Sequence, residues 1–292
     1  MAGVATAAQW VDGARPRTLA AAVAPVLVGS GAAALADAFA ARPAALALVV
    51  ALGLQVGVNY ANDYSDGIRG TDDARVGPRR LVGSRLAEPA AVRRAAVAAV
   101  AIACLAGLAL AALSGWWLLS VGAVSIGAAW AYTGTSHPYG YLGLGEVSVF
   151  VFFGLVAVCG TTYVQVGRIT GASLLAAIGI GALACAILVA NNLRDLATDA
   201  VAGKRTLAVR LGEPGTRVLY VTLQAAGFAV LPVLALQTPW ALLGLVSLPL
   251  AVRACRTVLG GARAAALVPV LAISGRTELV WAAGVTLGLT LA

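Results

Sequence analysis

Long apolar segments recur along the chain, and short connections that hold most of the charged residues separate them. A helix needs about 20 predominantly apolar residues to cross the hydrocarbon core of a bilayer. By this criterion the sequence predicts about nine spans, over residues 18–40, 43–64, 92–113, 116–134, 146–166, 171–193, 214–236, 239–256 and 277–292. Only 11% of the residues are charged, against about a quarter in soluble domains, which excludes an ordinary soluble enzyme. We therefore expect one domain over residues 1–292, folded as an all-α, polytopic membrane bundle.

The basic residues indicate the orientation of these spans. Of the 20 Lys and Arg residues, Arg42 lies in the first connection and Arg168 in the fifth, and the other 18 lie in the N-terminal tail or in and beside the second, sixth and eighth connections. Cytoplasmic connections are enriched in basic residues, so the N-terminus and the even-numbered connections are predicted to face the cytoplasm of a bacterial cell. This topology, anionic lipid headgroups and an anionic substrate account for the net charge of +8 without a nucleic-acid partner.

Half of the 12 acidic residues fall in two clusters, one where the second predicted span reaches the cytoplasmic face and one where the sixth does. The first cluster contains Asp63, Asp66, Asp72 and Asp73, and the second contains Asp195 and Asp199. Side chains three or four positions apart share one face of a helix. Two polar faces are therefore predicted, one formed by Asn59, Asn62, Asp63 and Asp66 and the other by Asn191, Asp195 and Asp199. Both contain the pattern Asn-x-x-x-Asp, which is consistent with two related halves.

The carboxylates of each cluster require nearby positive charge, because an ionised Asp among lipids costs about 2.5–3.5 kcal/mol on insertion scales. Two sources remain open, structural ion pairs with neighbouring arginines or a hard divalent cation. Mg²⁺ takes oxygen ligands and is held by a few carboxylates together with substrate phosphates. Two matched faces favour Mg²⁺, since each face would bind one ion and a diphosphate would lie between them. The arginines available for ion pairs are Arg69, Arg75, Arg79, Arg80, Arg194 and Arg205.

Lys204 is the single lysine in a chain with 19 arginines, and it follows Asp199 by five residues. Lys is a compact point charge suited to phosphate, whereas Arg is a planar fork. Lys204 and its neighbour Arg205 are therefore predicted to contact a phosphate group, and an incidental surface lysine is the alternative.

Carboxylates, basic groups and a membrane interface together favour the transfer of a prenyl group from an allylic diphosphate. Mg²⁺ and Lys204 would stabilise the charge on the departing diphosphate. Aromatic faces attract cations, and tyrosines near the span ends either keep the allylic cation from water or belong to an interfacial aromatic belt; they are Tyr60, Tyr64, Tyr132, Tyr139, Tyr141 and Tyr163. The stretch YTGTSHPYGYLGLGE, which contains Tyr132 and Tyr139, is expected to form the pocket of the acceptor. In the same stretch, His137 is either a general base or incidental, and Glu146 is interpreted as a charge that stabilises a helix N-terminus.

Four segments carry a resemblance to a known family: ARPRTLAAAVAPVLVG, NYANDYSDGIRGTDDARVGPRRLVGS, YTGTSHPYGYLGLGEV and NNLRDLATDAVAGKRTLAVRLG. On these motifs the chain resembles the UbiA superfamily of membrane prenyltransferases over nearly its whole length. The R-x-G-P, G-Y-x-G-L-G-E and G-K-R-T-L-A-V-R-L-G stretches point to the branch of that superfamily that acts on a naphthoate. Residues 135–137 depart from the more Gly-rich stretch expected there.

The resemblance implies that the spans surround a central cavity, with one Mg²⁺ at each acidic cluster. It implies transfer of a polyprenyl group from polyprenyl diphosphate to 1,4-dihydroxy-2-naphthoate, with loss of CO₂ and diphosphate, to give demethylmenaquinol for menaquinone biosynthesis. The predicted metal ligands are Asp63, Asp66, Asp72, Asp195 and Asp199, and the predicted catalytic residues are Asp66, Asp195 and Lys204. The predicted contacts to the diphosphate or the acceptor are Asn59, Asn62, Arg79, Tyr132, Tyr139, Asn191, Lys204 and Arg205.

Two other functions remain open. A member of the same superfamily that prenylates 4-hydroxybenzoate or a glycerol-phosphate lipid would carry the same acidic motifs. An ion-coupled transporter would also place acidic residues within the membrane. Transporter sites usually lie near the bilayer midplane, whereas both acidic clusters are predicted at one face, so the enzyme is favoured.

Overall fold

The computed structural model describes residues 5–69, 80–133, 135 and 138–292, and these ranges contain helices and connections but no β-strand. Their α-helices are α1 (Ala7–Gly13), α2 (Ala20–Leu35), α3 (Ala41–Arg69), α4 (Pro89–Ser114), α5 (Leu118–Thr133), α6 (Gly145–Val149), α7 (Gly160–Val166), α8 (Gly171–Arg194), α9 (Leu196–Val201), α10 (Leu207–Ala229), α11 (Leu231–Ala235), α12 (Leu248–Leu259) and α13 (Val268–Thr290). Further helical segments are 3₁₀ at Pro16–Thr18, Tyr139–Leu142, Pro239–Ser247 and Ala264–Leu267, and π at Phe150–Cys159.

These helices are those of a polytopic membrane protein. Seven in the described ranges are long and apolar enough to cross a bilayer: Ala41–Ile68, Pro89–Ser114, Gly145–Val166, Gly171–Arg194, Leu207–Ala235, Pro239–Leu259 and Ala264–Thr290. An eighth results if Ala7–Thr18 and Ala20–Leu35, which meet at a bend of 52°, form one span, and Leu118–Tyr132 is a shorter apolar helix. Each predicted segment thus coincides with an apolar helix, which confirms the fold class, and seven or eight of them have the length of a full span.

The ninth span begins earlier than the sequence predicted, and a short kinked helix precedes the seventh. The ninth segment, predicted from residue 277, is the end of a helix that covers Ala264–Thr290, and the seventh, predicted from residue 214, belongs to Leu207–Ala235. In the ninth, Arg276 and Glu278 interrupt the apolar pattern, but the folded helix exposes the arginine and buries the glutamate completely. In the seventh, Gly212 has the non-helical φ of 67° and separates a short helix from the one that contains Pro214, so the predicted start at residue 214 lies just after this kink.

Helix α8 forms the centre of the bundle. Its most apolar stretch is 72% buried, against 22–39% for the other full-length spans. Glycines allow the close approach of its neighbours, because a Cβ on Gly179 would lie 2.7 Å from the Trp281 ring and one on Gly181 would lie 2.8 Å from the Phe150 ring. The stretch GIGALA, which loosely fits a dinucleotide-binding pattern, therefore serves helix packing. The second acidic cluster follows directly at the C-terminal end of this central helix.

The C-terminal end of α3, which carries the first acidic cluster, is covered by the N-terminal segment. The rings of Trp10 and Tyr60 meet edge to face with their centroids 5.7 Å apart. The Tyr60 hydroxyl donates a hydrogen bond to the backbone oxygen of Trp10 at 2.7 Å. Helix α1 and the turn that follows it are thereby attached to α3 beside the acidic residues.

Candidate active site

Asp63, on the last turns of α3, is almost completely buried, at 1% exposure. Its two carboxylate oxygens accept hydrogen bonds from the backbone amides of Leu81 at 2.8 Å and Val82 at 3.0 Å. Hydrogen bonds to a charged acceptor are roughly twice as strong as neutral ones. Asp63 therefore holds the segment that begins at residue 80 against α3. Both oxygens of this carboxylate already accept backbone hydrogen bonds, and its role as a metal ligand stays a prediction.

Asp66, three residues further along α3, is the more accessible of the two acids of the first cluster that the structure describes. Nη2 of Arg80 lies 3.0 Å from its Oδ2, and the exposed fractions of the two side chains are 8% for the arginine and 22% for the aspartate. Asn62, between the two acids, is half-buried at the same helix end. The predicted residues Asp72 and Arg79, and also Asp73 and His137, lie outside the described residues.

Asn59, one turn before Asp63, is buried and holds the N-terminal segment. Its Nδ2 donates to the backbone oxygen of Ala14 at 2.8 Å and to Oγ1 of Thr18 at 2.9 Å. Its Oδ1 accepts from the side-chain amide of Gln55 at 3.3 Å. The whole amide of this predicted substrate contact is thus engaged within the protein.

The second cluster lies where α8 ends and α9 begins. The helix is interrupted at Asp195, but the hydrogen bonds of the helical pattern continue. The backbone amide of Asp195 donates to the backbone oxygen of Asn191 at 3.1 Å, and the amide of Asp199 donates to the backbone oxygen of Asp195 at 2.8 Å. The three positions therefore remain on successive turns, as the spacing predicted. The side-chain amide of Asn191 makes no hydrogen bond to any described residue.

Each acid of the second cluster has one cationic partner. Arg194 donates to both oxygens of Asp195, from Nε at 2.6 Å and from Nη2 at 2.5 Å. Nζ of Lys204 lies 3.2 Å from Oδ1 of Asp199. Burial raises the pKa of Asp199 above its ordinary value, although Lys204 acts to lower it. The ion pairs that the sequence left open are therefore present in both clusters.

Lys204 connects the two clusters electrostatically. Its ammonium group also lies 4.8 Å from the centre of the Tyr141 ring, a distance typical of a cation–π contact. Burial lowers the pKa of Lys204, but nearby groups, with Asp199 the largest contributor and Asp66 among them, outweigh burial and raise that pKa above its ordinary value. Asp66 belongs to α3 and Asp199 to α9, so carboxylates from both clusters act on one ammonium group.

The connection 138–144 is tied to the loop that follows α9. Arg205 donates its backbone N–H to the oxygen of Tyr141 at 2.9 Å. Nη2 of Arg210 donates to the backbone oxygen of Leu142, also at 2.9 Å. The side chain of Arg205, a predicted diphosphate contact, is exposed beside these bonds. The connection 138–144, with its tyrosines, and the loop that contains Lys204 and Arg205 are therefore bonded to each other.

Tyr132 and Tyr139 pack edge to face, with their ring centroids 5.5 Å apart and their planes at 85°. The Tyr139 hydroxyl donates to the backbone oxygen of Ala128 at 2.9 Å and bonds to the Ser148 hydroxyl at 2.9 Å, which ties the connection to α5 and α6. The Tyr132 hydroxyl makes no hydrogen bond within the described residues, and a Cβ on Gly145 would lie 3.2 Å from it. Of these two predicted residues, Tyr132 is the one whose hydroxyl is available to a ligand.

Glu146 and Asn192 form a further polar contact that sequence reasoning did not assign to the site. Nδ2 of Asn192 donates to Oε1 of Glu146 at 3.0 Å, and Glu146 is only 8% exposed. The sequence carried a usable signal, because an ionisable residue at the edge of an apolar segment is by default a functional candidate in a membrane protein. The pairing itself joins residues 46 positions apart and is not visible in any local pattern.

A cavity of about 600 Å³ opens between the start of α2 and the first turns of α13. Its walls include the apolar side chains of Leu19, Val23 and Leu279 together with Arg17 and Arg276. It borders the N-terminal segment, and none of the predicted site residues lines it.

The carboxylates of the two clusters fit Mg²⁺ by their chemistry. Within the described residues no three His, Cys, Asp or Glu side chains are already assembled around a common point. Asp66, Asp195 and Asp199 nevertheless offer the hard oxygen ligands that Mg²⁺ prefers, and Mg²⁺ is usually held by one or two carboxylates together with substrate phosphates. The cationic partners of these acids, Arg80, Arg194 and Lys204, occur where positive charge is needed.

Comparison with known proteins adds sequence and fold relationships. Residues 22–267 match the UbiA prenyltransferase family. The chain is 57% identical over 282 residues to 1,4-dihydroxy-2-naphthoate octaprenyltransferase of Mycobacterium tuberculosis, with 97% of each chain covered. Its fold is similar to the apo structure of a UbiA homolog from Aeropyrum pernix K1, with a TM-score of 0.71, 16% identity, and 91% of this chain and 97% of the other covered. It is also similar to a UbiA homolog from Archaeoglobus fulgidus bound to GPP and Mg²⁺, with a TM-score of 0.65, 14% identity, and 95% and 99% covered.

Proposed function

Because the chain belongs to the UbiA prenyltransferase family, we propose that it transfers a polyprenyl group from polyprenyl diphosphate to 1,4-dihydroxy-2-naphthoate. The transfer releases CO₂ and diphosphate and gives demethylmenaquinol for menaquinone biosynthesis. The name of the mycobacterial relative supports the acceptor. The observation that carries the chemistry is the position of Lys204, whose ammonium group lies 3.2 Å from the Asp199 carboxylate and 4.8 Å from the centre of the Tyr141 ring.

The diphosphate binds between the two acidic clusters in this proposal. Lys204 and the exposed Arg205 supply positive charge from one loop, and the Asn191 amide has no partner within the described residues that would compete with a ligand. Asp66, Asp195 and Asp199 would hold Mg²⁺, with Asp63 and Asp72 as the further predicted ligands. When bound, Mg²⁺ supplies charge that stabilises the departing diphosphate. The Archaeoglobus fulgidus homolog of similar fold, bound to GPP and Mg²⁺, supports this assignment.

The protein side chains act on both ends of the breaking C–O bond. Lys204 stabilises the negative charge that accumulates on the diphosphate oxygen as the bond breaks. The electron-rich face of Tyr132 stabilises the positive charge that develops on the allylic carbon. The ring of Tyr139, packed against Tyr132, helps to keep water from that carbon. The polyprenyl tail extends among the apolar helices, where it needs no polar partner.

The protein is a multi-pass membrane protein. Our proposal locates it in the bacterial cytoplasmic membrane with the active site facing the cytoplasm, because basic residues concentrate in the N-terminal tail and the even-numbered connections. A polar naphthoate would then enter from the aqueous side, while the prenyl tail remains in the bilayer.

The proposal is tested with membranes that contain the chain, a polyprenyl diphosphate and carboxyl-labelled 1,4-dihydroxy-2-naphthoate. We expect labelled CO₂ and prenylated product in equal amounts, no reaction after EDTA treatment, and recovery when Mg²⁺ is restored. Parallel reactions contain 4-hydroxybenzoate or a glycerol-phosphate lipid as acceptor. Transfer to either of these, with no CO₂ released from the naphthoate, would refute the acceptor assignment. Ion-dependent solute flux without any prenyl transfer would identify a transporter instead.

A further inference from the structure

Glu146 has a buried carboxylate oxygen, Oε2, that no described residue supplies with a hydrogen-bond donor. The side-chain amide of Asn192 donates a hydrogen bond to the other carboxylate oxygen of Glu146. The backbone oxygen of Glu146 accepts a hydrogen bond from the thiol of Cys185 at 3.0 Å. Both contacts come from α8, so Glu146 is held against the central helix of the bundle. A buried polar atom without a partner costs about 1–3 kcal/mol, a cost that a ligand with a hydrogen-bond donor would remove.

This oxygen belongs to the aromatic side of the candidate active site. Glu146 bonds to Asn192 near the C-terminal end of α8, the same helix end at which Asn191 and Asp195 of the second acidic cluster lie. The Tyr132 hydroxyl is next to Gly145, the residue before Glu146, and makes no hydrogen bond within the described residues. A ligand that contacts the Tyr132 hydroxyl is thus close to Glu146, which is itself bonded to the end of α8 that carries the second acidic cluster.

We propose that Glu146 takes a proton from a hydroxyl group of the aromatic acceptor, and that Asn192 is the positioning residue that holds it for this step. The inference rests on the proposed function, because it requires a hydroxylated aromatic acceptor. An acceptor hydroxyl would supply the hydrogen-bond donor that Oε2 lacks. General-base catalysis requires this kind of contact between the base and the proton it removes.

The proton and electron balance of the step is complete. The acceptor O–H bond breaks, Oε2 of Glu146 receives the proton, and the electron pair left on the oxygen increases the electron density of the ring. The ring carbon that bears the carboxylate then forms the C–C bond to the allylic carbon, while the C–O bond to the diphosphate breaks and its electron pair leaves with the diphosphate. The bond between this ring carbon and the carboxylate then breaks with loss of CO₂, and its electron pair returns through the ring to the oxygen, which recovers the proton from Glu146. No oxidant, reductant or further proton donor is needed.

The first experiment compares Glu146→Gln with the wild-type enzyme in prenyl transfer to 1,4-dihydroxy-2-naphthoate. Gln preserves the size of the side chain and an oxygen for Asn192, but it cannot accept the proton. We expect kcat to fall by roughly 10²–10⁴-fold, the usual contribution of a general base. The Kd of a non-reactive, thio-linked polyprenyl diphosphate analogue should stay at the wild-type value. Glu88→Gln, at an exposed glutamate before α4, is the matched control and should keep wild-type kinetics.

The second experiment separates base catalysis from a structural link between α6 and α8. Naphthoate analogues with ring halogens have more acidic hydroxyl groups and depend less on a base. The ratio of wild-type to Glu146→Gln rate should therefore shrink as the acceptor becomes more acidic, and Glu146→Asp should recover part of the activity. A purely structural role would reduce the rate equally for every acceptor.

Three outcomes would overturn the proposal: wild-type kcat in Glu146→Gln, a rate ratio that does not change with acceptor acidity, or loss of binding of the diphosphate analogue. If Glu146→Gln does not fold, Glu146→Asp is compared with the wild-type enzyme on the same halogenated acceptors. The aspartate is a base at a less favourable position, so its rate deficit should also shrink as the acceptor hydroxyl becomes more acidic. Failure of the proposed function is distinguishable, since the wild-type enzyme would then be inactive with the naphthoate. If it prenylates 4-hydroxybenzoate instead, the same series with substituted phenols decides the role of Glu146.

Discussion

The two acidic clusters share the pattern Asn-x-x-x-Asp, but different kinds of partner hold them. On α3, Asn59 donates to the backbone oxygen of Ala14, and Asp63 accepts hydrogen bonds from the backbone amides of Leu81 and Val82. These partners belong to segments that are distant from α3 in the sequence. On α8, the Asn191 side chain has no hydrogen bond within the described residues, and Asp195 pairs with the side chain of Arg194. A side-chain partner can rotate to a ligand, whereas backbone partners can move only if the chain rearranges.

This difference separates two tasks that the common spacing conceals. Asn59 and Asp63 are buried and connect the N-terminal segment and the segment after residue 80 to α3. Asp66 and Asp195 each have 22% of the side chain exposed and each face a cation that a bound substrate could share. We infer that the deeper half of the first cluster maintains the shape of the site, while Asp66 and the second cluster act on the ligand.

The largest predicted effect is loss of turnover in Asp195→Asn. The amide keeps the shape of the side chain but cannot carry the negative charge that a metal ion requires, so we expect kcat to fall by roughly 10³-fold. Asp66→Asn should behave in the same way if both clusters serve one diphosphate. The rate is measured at saturating Mg²⁺ and normalised to folded protein by size-exclusion chromatography. Asp12→Asn, at an exposed position of α1, is the control, and wild-type rates in either site variant would refute the assignment.

The next largest effect is on stability, in Asp63→Ala. Removal of this carboxylate leaves the amides of Leu81 and Val82 without acceptors in a buried environment. At about 1–3 kcal/mol for each unsatisfied group, the free energy of unfolding should fall by about 2–6 kcal/mol. Thermal unfolding in detergent and protease sensitivity after residue 80 measure the change, with Asp12→Ala as the control. Unchanged stability together with lost activity would instead make Asp63 a metal ligand.

Much of the architecture could be predicted from the sequence because hydrophobicity and charge are local properties. Each predicted apolar segment coincides with a helix, and the spacing of Asn191, Asp195 and Asp199 persists through a short helix break. The start of the last span could not be predicted, because the cost of burying Glu278 depends on residues that surround it only in the folded bundle.

The division of labour within the first cluster depends on contacts that no local pattern contains. Asp63 and Asp66 are equivalent in a sequence motif. They differ because the amides that satisfy Asp63 come from positions 18 and 19 residues later, while Asp66 meets a side chain. Glu146 does lie in the first turn of α6, as expected for a charge at a helix N-terminus, but its bond to Asn192, 46 residues away, is not visible in the local sequence.

A smaller predicted effect concerns the ammonium group that both clusters share. In Lys204→Ala we expect kcat to fall, because the departing diphosphate loses a stabilising charge, and the KM for polyprenyl diphosphate to rise by about 10–100-fold, because a hydrogen bond to a charged group contributes about 1.5–3 kcal/mol. The KM for the naphthoate should not change. Lys204→Arg keeps the charge but replaces a compact point charge with a planar fork, so it should recover only part of the affinity. Steady-state kinetics with each substrate varied in turn measures both constants, and equal increases in the two KM values would contradict a diphosphate-specific contact.

The smallest effects compare the two asparagines directly. Asn59→Ala removes the bonds to Ala14 and Thr18, so the free energy of unfolding should fall by about 1–3 kcal/mol. Its kcat and KM, per folded protein, should stay at the wild-type values. Asn191→Ala should show the opposite behaviour, with unchanged stability and a KM for polyprenyl diphosphate raised by about 2–10-fold, as expected for the loss of one hydrogen bond of about 0.5–1.5 kcal/mol. Unfolding curves and steady-state kinetics on the same preparations distinguish the two variants. If Asn59→Ala lost substrate affinity with no change in stability, the buried half of the first cluster would also belong to the ligand site.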